Sequence, residues 1–592
     1  MIRFNKIQKI ILSILVLLSL HCPLSVIETV DTGNVIVNVF LKFANSFISA
    51  NPLVDLLEIL AVYGLWKFVS SRDITVGIST IILSFVMSFF FVTGVALSCT
   101  DSLSFVYSNP YQVILFLFCL VGYTVLLSLL IASLENIVCS CDFAEDNDAI
   151  SSKRIFLISM ITIFSCWFIW LIVYFPGTMS LDAASQLNQT SGDVWHISNH
   201  QPPLSTLFMT GYVNFGKILG NKSYGIFIYC LLQELLGAFT FAYGIRYLFK
   251  KGLNKKICIG IMLFFAITPM WADFSQYFEK DFLYTVVLTL NFILLLETEL
   301  TEFNVRQTLL IALTGILACF LRNNGIYVII PFYIAVIIAS KSKKKPIVIT
   351  GIVLFAFLIV TKGVYPAVGV EKDSMREMMS IPFQQTARYV KEFPDEVTIE
   401  ERESIDLILP YDDLAENYEP RISDPIKDNF KGDDSLLPQY FATWARMLLK
   451  HPGVYIEAFL NQCYGYLAPV EENAPIPAIT PYPESAENMG IYREPLGHAA
   501  SFLECMRLLS ITWPIVKVLD YPGFYTWIVV ICAFILIKNR HYKVIPFYIP
   551  ALFNLLICIA SPLQNEMRYA LPIVAVAPFY VGMVALTNSV KN

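Results

Sequence analysis

The feature that most constrains this chain is a succession of long apolar runs along nearly its whole length, among them 111–134, 155–175, 223–248 and 569–586. Each approaches or exceeds the roughly 20 residues that a helix needs to cross the hydrocarbon core of a bilayer. Inside lipid every backbone N–H and C=O must be paired, which leaves only helices and closed barrels as spanning structures. A barrel would show shorter, alternating segments. Composition points the same way: 56% of the residues are hydrophobic and only 15% are charged, where soluble domains carry about a quarter. The fold expected is an all-α polytopic membrane protein with about fourteen transmembrane helices. The spans are placed near 8–27, 53–69, 74–98, 111–134, 155–175, 223–248, 257–271, 282–298, 307–321, 325–340, 346–363, 522–538, 544–560 and 569–586. Residues 34–49 suit an interfacial helix, and 506–520 are apolar enough to dip into the membrane.

Cytoplasmic loops of membrane proteins are enriched in Lys and Arg. Four basic groups stand out: Lys153 and Arg154; Lys250, Lys251, Lys255 and Lys256; Lys341, Lys343, Lys344 and Lys345; and Lys538, Arg540 and Lys543. With the spans above all four fall on one side, together with Arg3, Lys6 and Lys9. Both termini are then expected in the cytoplasm. Loops 176–222, 272–281, 322–324, 364–521 and 561–568 are expected outside it. The domains expected are an N-terminal membrane extension of four helices (1–150), a membrane core (151–363) with a first outer loop at 176–222, an extracytoplasmic domain (364–505), and C-terminal membrane helices (506–592). The extracytoplasmic domain is expected to be mainly helical, with stretches at Glu396–Leu409 and Leu437–Tyr464, and Pro-rich from Pro469 to Pro495. No internal repeat is visible, although transporter folds often show one.

The N-terminal stretch to about Val26 reads as a retained first helix or as a signal peptide. The net charge of −6 gives no reason to expect nucleic-acid binding. Most of the thirteen cysteines sit in apolar runs, where Cys behaves as a small hydrophobe. Cys139 and Cys141 form a lone C-x-C without a second pair at metal spacing. Cys463 and Cys505 flank the polar region and are candidates for pairing.

The chemistry-bearing residues gather in the outer loops. Asp182 follows a span in Gly177-Thr-Met-Ser-Leu-Asp182, and His200-Gln-Pro-Pro-Leu204 follows it. The paired prolines suit the start of a helix near Ser205. Asp182 is either part of a solvated loop with a helix cap or a catalytic acid at the membrane surface. Asp273, Glu279, Lys280 and Asp281 crowd the next loop, Arg322 and Asn323 sit in a tight hairpin, and Arg568 and Tyr569 abut the last span. Lys280, Arg322, Lys362 and Arg568 all stand at membrane boundaries on the side expected to be poor in cations. Each alone could snorkel to the interface. Together they suggest an anion, and at bilayer depth the anion at hand is a lipid phosphate, for which Arg offers bidentate geometry. A carboxylate beside a lipid phosphate suggests group transfer from a lipid carrier. The carboxylate would act as general base, and the cations would stabilise the departing phosphate.

An acidic residue in the first outer loop, Asp182, followed by a His-Pro-Pro-Leu-like segment opening a helix, His200-Gln-Pro-Pro-Leu204, resembles the GT-C superfamily of membrane glycosyltransferases. Gly177-Thr-Met-Ser-Leu-Asp182, His200-Gln-Pro-Pro-Leu204, Glu279-Lys280-Asp281, Arg322-Asn-Asn-Gly325, His451-Pro-Gly-Val-Tyr455 and Arg568-Tyr-Ala-Leu-Pro572 resemble more closely a little-characterised family of bacterial multi-pass proteins, grouped with GT-C by similarity, and the likeness covers about 155–586. The resemblance implies a GT-C-like fold and an inverting enzyme that uses a polyprenyl-phosphate sugar. It makes Asp182 the catalytic residue and Lys280, Arg322 and Arg568 the lipid-phosphate cations. His200, Gln201, Glu279, Asp281, Asn323 and Tyr569 complete the expected substrate-binding set. Two departures stand out. Gln201 interrupts the His-Pro-Pro run, and Asp182 lacks the Glu that commonly follows the first-loop Asp, which disfavours a metal-bound version without closing it.

The function expected is therefore a cell-envelope glycosyltransferase moving a sugar from polyprenyl phosphate to an extracytoplasmic acceptor (a glycan, lipid or protein). The alternatives are a surface-polysaccharide polymerase or ligase with a lipid diphosphate donor and, in another class, a lipid or solute transporter. Transporters place ionisable groups near mid-membrane, whereas the spans here read as almost free of charge.

Overall fold

In the computed structural model the described residues are 5–21, 34, 36–38, 41, 52–139, 149–192, 194–470, 482–513 and 516–588. The expected interfacial helix at 34–49, Cys141 of the C-x-C, Asp193 and most of the Pro-rich stretch lie outside them. The regular secondary structure of the described residues is helical, and their extended pairings are isolated bridges such as Thr178 with Tyr277.

Seven described helices are long and apolar enough to cross a membrane: Ile78–Thr100, Pro110–Val138, Ile150–Val173, Lys222–Lys250, Lys344–Ala367, Tyr542–Ile559 and Met567–Leu586. The pair Lys255–Ile267 and Pro269–Ser275, bent by 55°, makes an eighth if it is one span. The protein is thus an all-α, multi-pass membrane protein, but the expected count of about fourteen is not reached. Length and charge explain the shortfall. Val305–Leu321, Gly325–Ala339 and Pro522–Lys538 are apolar but have at most 17 residues. At 1.5 Å per residue that is about 25 Å, short of the ~30 Å hydrocarbon core. Lys6–Leu20 has only 15 residues, Pro52–Ser71 carries Asp55, Glu58 and Lys67, and the 18-residue Lys280–Glu297, expected as the span 282–298, carries Lys280, Asp281 and Glu297.

The chain divides into two units. The first comprises Met1–Ser140, Met375–Asn473 and Ile559–Asn565. Its membrane part packs Val16 against Val62, Trp66 and Leu129, and Val92 and Ala96 against Phe105 and Phe116. Its polar part is built around the amphipathic helix Ser380–Glu392, whose Phe383, Ala387, Tyr389 and Val390 are buried with Tyr440, Met447 and Tyr455. The two helical stretches expected there appear in shorter pieces. One is Ile399–Asp406, opened by a capping box of Thr398 and Glu401. The other breaks into Leu437–Lys450 and Pro452–Cys463 at His451, because Pro452 has no N–H to continue the first helix.

Within this unit Glu457 ties the polar helices to the turn after Ile78–Thr100. Its carboxylate accepts from Arg388 Nη2, from Tyr107 Oη at 2.6 Å, from the Leu103 N–H at 3.0 Å and from Ser102 Oγ at 3.3 Å. Arg388 Nη1 and Asn461 Nδ2 both donate to the Asp101 carbonyl, at 2.9 and 2.7 Å.

The second unit comprises Cys141–Ser374, Ala474–Cys558 and Glu566–Asn592. Lys222–Lys250 runs through it, packed against Ala149–Val173, Pro203–Ile218 and Lys280–Glu297. Gly225 permits the tight hairpin with Pro203–Ile218, since a Cβ there would stand 1.8 Å from the Tyr212 carbonyl oxygen. Trp167, Phe241, Phe265 and Trp271 form an aromatic cluster at the bent pair, with Trp167 Nε1 donating to the Phe265 carbonyl at 2.9 Å. Cys463 and Cys505, the candidates for pairing, are free thiols, the first buried in the first unit and the second exposed in the second.

Candidate functional site

The site is assembled from four stretches of the second unit, each fixed by a local feature of the sequence. Pro269 cannot continue the Lys255–Ile267 helix, so the chain turns at Thr268 into the short Pro269–Ser275 helix. The following loop is pinned by exchange with the first loop: the Thr178 N–H donates to the Gln276 carbonyl at 3.1 Å and the Phe278 N–H to the Thr178 carbonyl at 2.7 Å. Gly177 makes this approach feasible. Its φ is +127°, and a Cβ would lie 2.7 Å from the Gln276 carbonyl oxygen. Gln233 Nε2 and Tyr229 Oη secure the loop from the Lys222–Lys250 helix, the latter donating to the Glu279 carbonyl at 2.9 Å. Glu279, Lys280 and Asp281 are thereby set at the start of Lys280–Glu297, where the helix dipole favours the Asp281 carboxylate.

Asp182 lies in the first turn of Leu181–Asn188, capped by Ser180. That helix buries Ala183, Ala184 and Leu187 against Met209, Tyr229 and Phe278. Gln186 Nε2 donates to the hydroxyls of Ser205 and Thr206, at 2.8 and 2.9 Å. These belong to the Pro203–Ile218 helix, which begins at the second of the paired prolines. Arg322 ends Val305–Leu321, and Arg568 opens Met567–Asn588.

These elements bring three cations together with four carboxyls, those of Asp182, Glu279, Asp281 and Glu566. Arg568 Nη1 donates to Asp182 Oδ2 and to Glu279 Oε1, both at 2.7 Å. Its Nε stands 3.7 Å from Asp281 Oδ2 and 3.8 Å from Glu566 Oε1. Arg322 Nε is 3.5 Å from Asp281 Oδ1, and its guanidinium lies over the Tyr569 ring at 4.7 Å. Lys280 is 6% exposed, and its ammonium makes no hydrogen bond or close ion pair among the described residues. Its field nevertheless acts on Asp182, Glu279 and Asp281. Burial works against ionisation of Asp182, but the Arg568 and Lys280 charges outweigh it and hold this carboxyl below the usual range. Burial pushes the Glu279 carboxyl up to about 7, with Arg568 opposing and Asp281 reinforcing the rise.

The remaining expected residues form an adjoining group. Asn323 Nδ2 donates to the carbonyls of Asn199 and His200, at 2.7 and 3.4 Å. His200 Nδ1 is 3.3 Å from Asp373 Oδ1, and Gln201 is buried next in sequence. Lys362 does not join the cluster. It is exposed on the π-helical turn Val360–Val364. Asp273 is also separate: Arg507 places Nε 3.4 Å from Asp273 Oδ2 and Nη1 2.7 Å from Asp520 Oδ1, in a second buried ionic group. Among the described residues no His, Cys, Asp and Glu group has the arrangement that would hold a metal ion.

Sequence reasoning missed three features. Glu566 sits two residues before Arg568 and faces it. Arg507 was a lone cation in an apolar stretch, the signal that should have flagged it. Glu234 lies fully buried within Lys222–Lys250, its Oε1 3.3 Å from Ser275 Oγ, so the spans are not as free of ionisable groups as they read.

Neither a curated protein nor a solved structure matches the chain. A family model, described as Family of unknown function (DUF6020), matches residues 193–591. The matched stretch takes in every candidate site residue except Asp182, which lies eleven positions before it. Since that stretch is well over half of its length, the chain belongs to the DUF6020 family.

Proposed function

We propose that this protein is a membrane glycosyltransferase of GT-C type, transferring a sugar from a polyprenyl-phosphate donor to an extracytoplasmic acceptor with inversion. One observation carries the reading: Arg568, Arg322 and Lys280, from three separate stretches of chain, meet at the ends of apolar helices beside Asp182. Cations gathered at such a place suit a lipid phosphate. In this reading the apolar helices Val305–Leu321, Gly325–Ala339 and Pro522–Lys538 are further, shorter crossings toward the fourteen expected. The site opens to the extracytoplasmic face, and both termini are cytoplasmic.

The resting contacts suggest how the steps run. Arg568 now engages Asp182 and Glu279 through one nitrogen. A donor phosphate takes up Arg568, with Arg322 and Lys280 beside it, and releases Asp182. Asp182, ionised at neutral pH, accepts the proton of the acceptor hydroxyl. That oxygen attacks the anomeric carbon from the face opposite the phosphate. The carbon–oxygen bond to phosphate breaks, and the three cations stabilise the charge that develops there. His200, Gln201, Asn323 and Tyr569 are assigned to substrate contacts around this centre.

The test is transfer of sugar from a polyprenyl-phosphate donor by the purified protein. Asp182→Asn should lower turnover about 10²- to 10⁴-fold, the usual worth of a general base, and leave donor binding intact. Full turnover in that variant would remove Asp182 from the chemistry. A lipid diphosphate donor in the same assay separates the polymerase or ligase alternative. Glu234, a buried carboxyl inside a span with no basic group in contact among the described residues, favours the transporter as a second reading. Loss of solute or lipid flux in Glu234→Gln, with no transfer activity in the parent, would support it.

A further inference from the structure

Around Arg568 the carboxyls are too many for a site that receives an anion. Asp182, Glu279 and Asp281 balance Arg568, Arg322 and Lys280, and Glu566 adds a fourth carboxyl at the edge. With all four ionised, the carboxyls outnumber the three cations by one, and the group repels an incoming phosphate. One proton on a carboxyl removes that excess. The four carboxyls are not equivalent. Asp182 and Glu566 have side chains 38% and 30% exposed, and Arg568 and Lys280 hold Asp182 in its ionised form. Asp281 has Arg322 near one oxygen and Arg568 near the other. Glu279 is 4% exposed, and the one guanidinium nitrogen it contacts is shared with Asp182.

We infer that Glu279 is the proton-carrying group of the site: it meets the donor phosphate as a neutral acid and gives its proton to that phosphate as the sugar leaves. This deepens the proposed function and rests on it. Its neighbours on every packed element agree with the role. Tyr229 of Lys222–Lys250 bonds only its backbone carbonyl. Asp182, Lys280, Asp281, Arg568 and Glu566 set the charge balance, and Arg322 acts through Asp281. Burial, which raises this carboxyl, points the same way. The step balances. Asp182 takes the acceptor hydroxyl proton, and the electron pair of the broken carbon–oxygen bond goes to the phosphate. The Glu279 proton neutralises one of the two charges that phosphate would then carry. Asp182 and Glu279 return to their starting states by exchange of one proton through solvent.

The test uses the full-length chain in detergent micelles and a polyprenyl methyl phosphodiester, whose single negative charge is fixed across pH 5.5 to about 9. Binding by the parent protein should be flat at acid pH and weaken roughly tenfold per pH unit above the Glu279 titration. Glu279→Gln, a permanent neutral mimic, should bind as the parent does at low pH and show no pH slope. Its turnover should fall because it has no proton to give. Asp182→Asn should keep the slope, which separates the role of Glu279 from general damage to the site. Binding that persists without a slope in the parent, or an unchanged slope in Glu279→Gln, would overturn this inference and leave the transferase reading standing. Failure of the diester to bind any variant at any pH would overturn both.

Discussion

The Glu457 carboxylate is the strongest test of how the first unit holds together. Glu457 and Arg388 have side chains 6% and 5% exposed. Glu457→Ala removes the acceptor for four donors: Arg388 Nη2, Tyr107 Oη, the Leu103 N–H and Ser102 Oγ. Breaking a buried ion pair by deleting one partner costs about 3–5 kcal/mol. Arg388 keeps Glu392 at 2.7 Å and the Asp101 carbonyl at 2.9 Å, which limits the loss from its side. The neutral donors left bare add about 1–3 kcal/mol for each that water does not reach. A total near 4 kcal/mol follows from these ranges. Arg388→Ala should cost less, about 2 kcal/mol, because Glu457 would retain three donors to satisfy its charge. The double variant should fall short of the sum by at least about 1 kcal/mol, the coupling expected for residues in contact. Reversible unfolding of the purified protein in detergent measures all three. A Glu457→Ala change within ~1 kcal/mol of the parent, or a larger effect of Arg388→Ala, would contradict this role of the Glu457 carboxylate.

Other outcomes follow from the same geometry. In intact cells a cysteine placed near Lys343 should be shielded from an impermeant thiol reagent, and one near Asp413 should react; the reverse pattern would overturn the proposed orientation. Gly225→Leu should destabilise the protein by more than ~3 kcal/mol, since its side chain meets the Tyr212 backbone, and thermal unfolding with an unchanged midpoint would contradict that close approach. Arg507→Met strands Asp273 and Asp520 in a buried site and should cost about 3–5 kcal/mol at neutral pH. That cost should shrink toward pH 5, where the two carboxyls accept protons more cheaply, and a pH-independent cost would count against the ionic role.

Membrane insertion was legible in the sequence because it depends only on length and apolarity. The number of crossings was not. Hydropathy marks Val305–Leu321 and Gly325–Ala339 as spans, but it does not register that they end where Arg322 and Gly325 must turn. The site was partly legible. Cations at the ends of apolar runs are anomalous wherever they occur, and Arg322 and Arg568 met in the fold while Lys362 faced away. What the sequence could not supply was pairing. Asp273 and Glu279 lie six positions apart and look alike in sequence, yet the turn at Pro269 and the loop after it send them to different arginines. Glu234 was visible in the Leu-Leu-Gln-Glu-Leu-Leu stretch and was passed over because the apolar average hides a single carboxyl.

In the proposed function Arg568 and Arg322 hold a polyprenyl phosphate. The most direct measurement is mass spectrometry of lipids retained by the protein after mild purification from native membranes, for the parent and for Arg568→Ala and Arg322→Ala. A polyprenyl phosphate or its sugar-linked form should accompany the parent and fall at least about tenfold in either arginine variant, as expected when a charge-assisted phosphate contact is lost. Equal retention in all three proteins, or no polyprenyl phosphate with the parent, would contradict it.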